Sequence, residues 1–346
     1  MILRTIISSD ISLRLKWAYF WVGLIAALLL VTAPFLSDHQ IFVFSDLAIL
    51  AVYAVALNLV IGYGGMISLG HAAFFGIGTY SSCLLITNAG MNSMLAFFLA
   101  PLFSLVLAII VGALAVRLST VYFSMITLAF AEIVSITIHG WYSFTRGDDG
   151  IPFSPKGFIF ESKLGFYYFV LVVVGISLYI MFRITQSPYG LVLRAIRDNR
   201  KRIPMLGVTV MKPRIVAFAI SSIFSGMAGA LHGFQIQIAE PGSASFNVSI
   251  TPLLSILLGG AHNFMGPVIG TVFYKSLESF LMARSPELWT IVMGLALILT
   301  GIFWPRGFIG LLEDPRWLKW CWRSLLAVLL VVNNLRWFLI RKLRKR

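Results

Sequence analysis

The sequence predicts an all-α polytopic membrane protein with about 9–10 transmembrane helices, and three observations support this fold class. Hydrophobic residues make up 59% of its 346 residues and charged residues only 12%, whereas charged residues make up about 25% of a soluble globular chain. Apolar runs of about 20 residues, the length that spans a bilayer as a helix, recur along the chain. Lys and Arg, whose excess gives a net charge of +14, lie mainly outside those runs. That distribution fits the cytoplasmic loops of a membrane protein better than a nucleic-acid-binding surface.

The apolar runs define the predicted helices in chain order. A short run at residues 249–258 is predicted to be either a tenth span, extended upstream, or a re-entrant piece. The runs that are long enough to span a bilayer are residues 17–36, 42–61, 71–87, 94–116, 121–139, 164–183, 213–234, 264–283 and 287–304.

Charge predicts the orientation of these helices. The basic segment, residues 183–214, holds eight basic residues and one acidic residue, so it is predicted to be cytoplasmic. Counting back through six spans also places the N-terminus inside, in agreement with Arg4, Arg14 and Lys16. The first run ends without a convincing signal-peptidase site, so we predict that it stays as a helix. A cytoplasmic C-terminus needs an even number of crossings, so residues 249–260 are predicted to cross the membrane or to dip in and out of it.

Residues 62–78 form the least helix-like stretch between two spans. Six of these 17 residues are glycine and none is charged, and each glycine lowers helix propensity by about 1 kcal/mol relative to alanine. Uncharged, broken backbone beside membrane helices is typical of a segment that is buried in protein or lines a cavity. A tight turn with a close helix contact is the alternative. Gly259-Gly260, followed by Gly266 and Gly270, is a second element of this kind.

Ionisable residues inside the predicted spans are few. Lys275 and Glu278 are three residues apart on one helix and are predicted to neutralise each other. Glu132 has no such neighbour, and we predict a cavity or interhelix position for it, because ionisable groups in membranes are costly and often functional. Small residues that recur every four positions favour close helix packing; they are Ser221, Ser225, Gly229 and Gly233, then Ala72 and Gly76, then Gly266 and Gly270.

Residues 187–207, within the basic segment, are predicted to form a short amphipathic helix at the cytoplasmic surface. Ser187 and Pro188 provide a hydroxyl N-cap and a first-turn proline, and Gly207 provides a stop. Apolar and basic residues lie on different faces of this helix. One interpretation is an interfacial helix held by lipid phosphates. The other is a helix that docks in the groove of a soluble partner and passes motion to the neighbouring spans.

The tail after residue 312 is strongly basic around a short apolar run at residues 325–332. This pattern predicts an interfacial helix on an anionic leaflet or a solvated basic end. The sequence contains no P-loop, metal-binding histidine array or nucleophile motif, so no catalytic residue, metal or cofactor is predicted. Its two cysteines, Cys83 and Cys321, give no disulfide framework.

Several motifs resemble the LivM-type permeases of branched-chain amino acid ABC importers, in the LivH/LivM permease family. NLVIGYGGMISLGHAAFFGIG at residues 58–78 is similar to the family's first signature. LRAIRDN at residues 193–199, followed by residues 206–208, resembles its cytoplasmic coupling loop. Further matches extend the resemblance over residues 42–312; they are residues 127–133, 145–151, 257–260, 266–270 and 303–307.

The resemblance implies an ABC importer permease fold in the cell inner membrane, with both termini cytoplasmic. The implied partners are a second LivH-like permease, two cytoplasmic ABC ATPases that bind the ATP and Mg, a periplasmic or lipid-anchored substrate-binding protein, and membrane lipids. The expected cargo is a branched-chain or other apolar amino acid, with urea, amides or aromatic acids as the alternative. A stand-alone secondary transporter is a further alternative, and a membrane enzyme is the least favoured class.

In that framework the chain has three regions. Residues 1–41 are an N-terminal cytoplasmic segment and the first transmembrane helix. Residues 42–312 are the permease core, with a coupling helix at residues 188–207. Residues 313–346 are a basic cytoplasmic or interfacial tail.

The patterns and the resemblance together assign three sites. ATPase coupling is assigned to Arg194, Ala195, Ile196, Arg197, Asp198, Asn199, Leu206 and Gly207. The translocation path is assigned to Tyr63, Gly64, Gly65, Ser68, Gly70, His71, Glu132, Gly259 and Gly260. Contact with the binding protein is assigned to Asp148 and Asp149.

These assignments lead to two expectations about variants. Charge reversal at Arg194 and Arg197 should weaken ATPase association and leave the chain folded. Gly65→Leu should block transport by displacing backbone beside the path.

The sequence departs from the family pattern at four places. Pro204 interrupts the end of the coupling helix, and the basic tail beyond about residue 312 is longer than the family usually carries. Arg200-Lys201-Arg202 stands where the family usually has glutamate and small residues, which predicts an unusually acidic docking groove or altered coupling. Arg146 stands where a second glycine is common.

Overall fold

The computed structural model describes residues 34, 36–284, 286–303 and 307–313. The predicted first span lies almost entirely outside the described residues, and the basic tail lies beyond them. The α-helices of the described chain are α1 (Asp38–Asn58), α2 (His71–Thr87), α3 (Ser93–Ala115), α4 (Thr120–Gly140), α5 (Tyr142–Thr145), α6 (Phe158–Glu161), α7 (Lys163–Gln186), α8 (Pro188–Asp198), α9 (Met211–Ile236), α10 (Phe246–Gly259), α11 (Gly266–Met282), α12 (Pro286–Phe303) and α13 (Gly307–Glu313).

Shorter elements interrupt this helical pattern. A five-residue π-helix, Leu59–Tyr63, continues α1, and 3₁₀ turns form at Gly147–Asp149, Ile203–Leu206 and Pro241–Ala244. Two strands of two residues each, β1 (Ile151–Pro152) and β2 (Ile238–Ala239), pair antiparallel with Ile151 opposite Ala239. This small sheet joins two loops and is the one departure, within the described chain, from the predicted all-α class.

The long apolar helices match the predicted spans. Six helices of the described chain are long and apolar enough to cross a membrane by length and composition: α1 with its π-helical extension, α3, α4, α7, α9 and a sixth that begins within α12. The helices α2 and α11, on the runs at residues 71–87 and 264–283, have 17 residues each. This agrees with the fold class of a polytopic helical membrane protein.

The run at residues 249–258 is part of a shorter helix. It extends upstream as predicted, but α10 has only 14 residues, which gives a rise of about 21 Å against a hydrocarbon core of about 30 Å. The preceding turn, Pro241–Ala244, already lies inside the bundle, because a Cβ on Gly76 would be 3.0 Å from the Cα of Ala244. The element is therefore a short helix entered from within the bundle.

Helix α8 begins where the sequence predicts and ends early. Ser187 caps it by accepting a hydrogen bond from the backbone N–H of Gly190, and Pro188 is its first residue. The helix stops at Asp198, and Gly207 ends the separate 3₁₀ turn with φ 77°. The predicted single helix over residues 187–207 is thus wrong in its second half, where Pro204 cannot donate a helical hydrogen bond and disfavours helix at the preceding residue.

Helix α9 is the central packing element and contacts α1, α2 and α3. Its small residues allow that approach, as predicted. A Cβ on Gly229 would overlap the backbone of Phe75, and a Cβ on Gly233 would be 3.0 Å from the Thr79 methyl group. The Ser221 hydroxyl donates to the carbonyl of Ala56 at 2.5 Å.

The basic segment marks one end of the bundle, here called the basic end. Helix α1 runs towards the basic end and α9 runs away from it, because Ser221 binds Ala56 while Gln235 donates to the carbonyl of Phe42 at 2.9 Å. The sheet and the start of α7 lie at the opposite end, where Lys163 pairs with Asp38 at 2.5 Å.

Candidate functional site

A non-helical connection, residues 64–70, joins the π-helix to α2 at the basic end. Gly65 in this connection has φ +63°. Helix α4 holds the connection through two threonines. The N–H of Leu69 donates to Thr127 Oγ1 at 3.3 Å, and the Thr120 hydroxyl donates to the carbonyl of Gly65 at 3.5 Å. The glycine-rich stretch therefore contains broken backbone packed against α4, as predicted. The close approach of Gly70 to the backbone of Thr127 also fits the alternative of a tight helix contact.

His71 fastens the end of the connection to α9. The Ser68 hydroxyl lies 2.8 Å from Nδ1 of His71, and Ser221 Oγ lies 2.8 Å from its Nε2. Because the Ser221 hydroxyl donates to Ala56, it accepts from Nε2–H, and Ser68 donates to Nδ1. The ring is fully buried, with two phenylalanine rings edge-on to it. His71 is therefore a neutral cross-link inside the bundle.

Arginines of the basic segment bind backbone carbonyls at helix ends. These ends carry carbonyls without a helical partner, and the helix dipole favours a positive charge there. The contacts are Arg197 to the carbonyl of Gly62 at 2.6 Å, Arg200 to those of Leu118 at 2.8 Å and Arg117 at 3.1 Å, and Arg214 to that of Val116 at 2.8 Å. These side chains hold the basic segment against the ends of α3 and of the π-helix.

Helix α8 lies directly on the connection. A Cβ on Gly65 would be 2.8 Å from Cγ of Arg197. The Arg194 guanidinium lies 5.9 Å from the centroid of the Tyr63 ring, which is within cation–π range. Arg197 also pairs with Asp198 at 2.9 Å. Both arginines that were assigned to the coupling surface thus make contacts within the chain.

The other predicted coupling residues divide between the surface and the interior. Asp198, Asn199, Leu206 and Gly207 are exposed, Ile196 is buried, and Ala195 is partly exposed. Met205 was not predicted as a coupling residue, yet its side chain is 85% exposed beside that of Leu206 at 76%. The sequence does indicate this site, because Met205 and Leu206 are an apolar pair between Pro204 and Gly207 in an otherwise basic loop.

Most of the predicted path residues lie near the basic end. Tyr63, Gly64, Ser68, Gly70 and His71 are buried, and Gly65 is partly exposed. The two glycine elements meet, because a Cβ on Gly62 would overlap the carbonyl of Ala261. Gly259 and Gly260 are packed against the backbone of Gly266 and Gly307, so their immediate role is close helix packing. Glu132 lies apart from these residues, exposed on the outer face of α4.

An ion-pair cluster joins α1 to α11. Lys275 pairs with Glu278 at 3.0 Å, as predicted, and also with Asp46 at 2.9 Å. The three side chains are each 24–25% exposed. Asp46 was not predicted, because it is a single carboxylate inside the apolar run at residues 42–61 and its partner Lys275 is more than 200 positions away.

Asp148 and Asp149 lie in an exposed 3₁₀ turn at the opposite end. The Tyr142 hydroxyl donates to Asp149 at 3.0 Å, and this hydrogen bond raises the pKa of the Tyr142 phenol. His139 Nε2 lies 3.6 Å from Asp148. Arg146 precedes the turn with φ 60°, a left-handed conformation that glycine adopts without steric cost. That conformation explains why a glycine suits this position.

Among the described residues, no group of three or more His, Cys, Asp or Glu side chains could hold a metal ion.

Comparison with known proteins agrees with this architecture. The LivM permease protein of the high-affinity branched-chain amino acid transport system of Salmonella typhimurium is 26% identical over 295 residues, which cover 78% of this chain and 69% of that protein. Its Escherichia coli counterpart is 26% identical over 332 residues, covering 86% and 76%. The guanosine ABC transporter permease NupQ of Bacillus subtilis is 25% identical over 175 residues, covering 46% and 51%. No solved structure is significantly similar to the chain.

A protein family described as the permease component of branched-chain amino acid transport systems matches residues 40–301. The match covers well over half of the chain and includes the connection, the basic segment and α9. The chain is therefore a member of the branched-chain amino acid transport permease family.

Proposed function

We propose that this permease subunit works in an ATP-driven importer whose cargo is a branched-chain or other apolar amino acid. The contact between α8 and the connection carries the proposal. Arg197 binds the carbonyl of Gly62 at 2.6 Å, and its side chain lies against Gly65. Helix α8 lies at the surface and contacts non-helical backbone between two spans. Such a contact can transmit a displacement of α8 into the bundle.

The displacement has two short routes from the connection. Thr127 on α4 binds Leu69, and His71 binds Ser221 on α9. Both helices are long and apolar enough to cross the membrane. Movement of the basic segment would therefore shift two spans together and open the path to alternate sides.

The energy would enter at the basic end. The chain has no P-loop, and a partner can shift a conformational equilibrium only if it binds the two states unequally. Two cytoplasmic ABC ATPases, which hold the ATP and Mg, would engage the exposed pair Met205 and Leu206. The basic end is then cytoplasmic in the inner membrane, and both termini lie on that side.

The opposite end would face a substrate-binding protein, periplasmic or lipid-anchored. The exposed carboxylates of Asp148 and Asp149 are available for that contact. A second, LivH-like permease would complete the path, since one chain leaves several long apolar helix faces uncovered.

The relatives support the cargo assignment at the level of a class. Two are LivM permeases of branched-chain amino acid transport systems. The relative NupQ is a guanosine permease, so cargo varies among similar chains, and urea, amides or aromatic acids are the alternative here. A stand-alone secondary transporter is less favoured, because Asp46 and Glu278 are both engaged with Lys275 and few other groups are left for ion coupling.

Purification of the tagged chain from mild-detergent membranes tests the proposal. We expect mass spectrometry to identify a second permease and P-loop ATPases in the eluate. Uptake of radiolabelled leucine by vesicles that contain the complex should require ATP and persist when ion gradients are collapsed. Recovery of the chain alone, with uptake that follows an ion gradient, would contradict the importer.

A further inference from the structure

Glu132 is an ionisable side chain exposed near the middle of a spanning helix. It stands twelve residues after Thr120 and eight before Gly140, the first and last residues of α4. Its side chain is exposed, and it forms no ion pair with another described residue. The same face of α4 exposes Tyr122, Met125, Ala129 and Ile136.

Apart from Glu132, the exposed face of α4 is largely apolar, with Val121, Met125, Ile133 and Ile136 among its residues. The exposed face of α3 carries no ionisable side chain. It is apolar along its length, which suits contact with lipid chains, and Phe103 on it stands twelve residues from the end of α3 at the basic end, as Glu132 does on α4. Its exposed residues are Leu95, Phe98, Leu102, Phe103, Val106, Ile109, Ile110 and Leu114. An ionised carboxylate on a lipid-covered surface is costly. The surface immediately around Glu132 therefore suits contact with water or protein better than contact with lipid chains.

We propose that this face of α4 lines the translocation path and that Glu132 binds the ammonium group of an amino acid cargo. A carboxylate forms a charge-assisted hydrogen bond with an ammonium group. Every zwitterionic amino acid carries that group whatever its side chain, so one acidic residue serves a class of apolar amino acids. The inference rests on the proposed function for its cargo.

The position of α4 links this site to the coupling contacts. Its buried face carries Thr120 and Thr127, which bind the connection, and its exposed face carries Glu132. A displacement of α8 that moves the connection would therefore move the helix that holds the cargo. Binding of cargo at Glu132 and docking at the basic end act on the same rigid element.

Thiol accessibility tests the water-lined surface. Glu132→Cys is compared with Phe103→Cys in vesicles that contain the full transporter, with labelling by a membrane-impermeant, charged thiol reagent. The unsubstituted chain provides the background signal. We expect labelling at position 132 and none at position 103. Absence of labelling at position 132 in both the ATP-bound and nucleotide-free complex would overturn the proposal.

Uptake tests the ammonium contact. Glu132→Gln keeps the size of the side chain and removes its charge, and we expect uptake of radiolabelled leucine at subsaturating concentration to fall about tenfold or more. Glu132→Asp should keep more uptake than Glu132→Gln. The amount of chain in the membrane and the recovery of partner subunits should match wild type.

Two results would overturn the ammonium contact. One is undiminished uptake by Glu132→Gln. The other is loss of the second permease from the purified complex, which would make Glu132 an interface contact. Failure of the proposed function is distinguishable from both, because the wild-type complex would then show no ATP-dependent uptake.

Discussion

Gly65 meets two requirements that no other residue type satisfies together. Its φ of +63° lies in the left-handed region, where a side chain costs about 1–2 kcal/mol. Its missing Cβ also leaves room for the Cγ of Arg197, which would be only 2.8 Å away. The backbone conformation and the close approach of α8 thus depend on the same position.

Gly65→Ala should lower both stability and transport, and Gly90→Ala is its matched control. Gly90 has φ +61°, and no atom lies within 4 Å of the position that its Cβ would occupy, so alanine there carries only the conformational cost. We expect Gly65→Ala to lower the midpoint of thermal unfolding in detergent more than Gly90→Ala, and to reduce leucine uptake, while Gly90→Ala keeps uptake. Equal effects of the two substitutions would show that contact with Arg197 contributes nothing.

The contacts of Arg197 change what charge reversal should do. The sequence predicted that reversal at Arg194 and Arg197 leaves the chain folded, because an amphipathic pattern indicates which side chains share a face but not what covers it. The contact between Arg197 and Gly62 joins positions 135 apart in sequence. Arg197→Glu would place a carboxylate beside a carbonyl oxygen, so it should destabilise the basic segment itself. Exposed residues are therefore better probes of docking.

At the scale of elements, the basic segment divides into residues that bind the bundle and residues that face outward. Arg200 donates to two carbonyls at the end of α3, while the neighbouring Lys201 is exposed. The run Arg200-Lys201-Arg202 is thus not a uniform docking surface. Arg200 holds the segment in place, which gives the departure from the family pattern a structural reason.

Arg200→Met and Lys201→Met separate these two roles. Loss of hydrogen bonds from a charged donor should lower the free energy of unfolding by about 1–2 kcal/mol for Arg200→Met, since the side chain is only partly buried. Lys201→Met should change it by less than about 0.5 kcal/mol, as is usual for surface positions. Thermal unfolding of the purified chain measures both. A larger loss for the lysine variant would contradict the assignment.

Met205 and Leu206 are the outward-facing part of the same segment. Replacing both with serine should leave the unfolding midpoint unchanged, because the side chains are 85% and 76% exposed. It should also reduce recovery of the ATPases in the pull-down, since exposed apolar pairs gain by burial in a partner. Val121→Ser, at a 67% exposed position on the same end, is the control. Unchanged ATPase recovery in the double variant would exclude this docking surface.

Apolar runs and caps predicted most of the described helices, within a few residues at their ends. The run at residues 42–61 became α1 with its π-helix, and Ser187 with Pro188 began α8 where the pattern placed it. Pro204 indicated an interruption near the end of the coupling helix, but the pattern did not reveal that the helix already ends at Asp198 or that a π-helix precedes the connection. Both depend on how neighbouring helices pack. Pattern indicates which segments are helical, and long-range contacts decide where they bend.

At the scale of the whole molecule, the cluster of Asp46, Lys275 and Glu278 joins the first described span to α11. Lys275 Nζ lies 2.9 Å from Asp46 Oδ2 and 3.0 Å from Glu278 Oε2. These three groups are partly removed from water. A charge that lacks a partner is costly in such a site, whereas charges that have partners are tolerated. The cluster therefore helps to fix how α1 and α11 pack. Its stability should depend on the balance of positive and negative charge more than on any one contact.

Three variants test that balance. Lys275→Met leaves two carboxylates side by side, and the free energy of unfolding should fall by about 2 kcal/mol or more, less than the 3–5 kcal/mol of a fully buried pair because the groups are about one-quarter exposed. Glu278→Gln leaves Lys275 and Asp46 as a balanced pair, so it should cost much less than Lys275→Met. The triple variant D46N/K275M/E278Q strands no charge, so it should be more stable than Lys275→Met alone. Thermal unfolding in detergent ranks the three, and a triple variant less stable than Lys275→Met would show that the pairs contribute direct stabilisation instead.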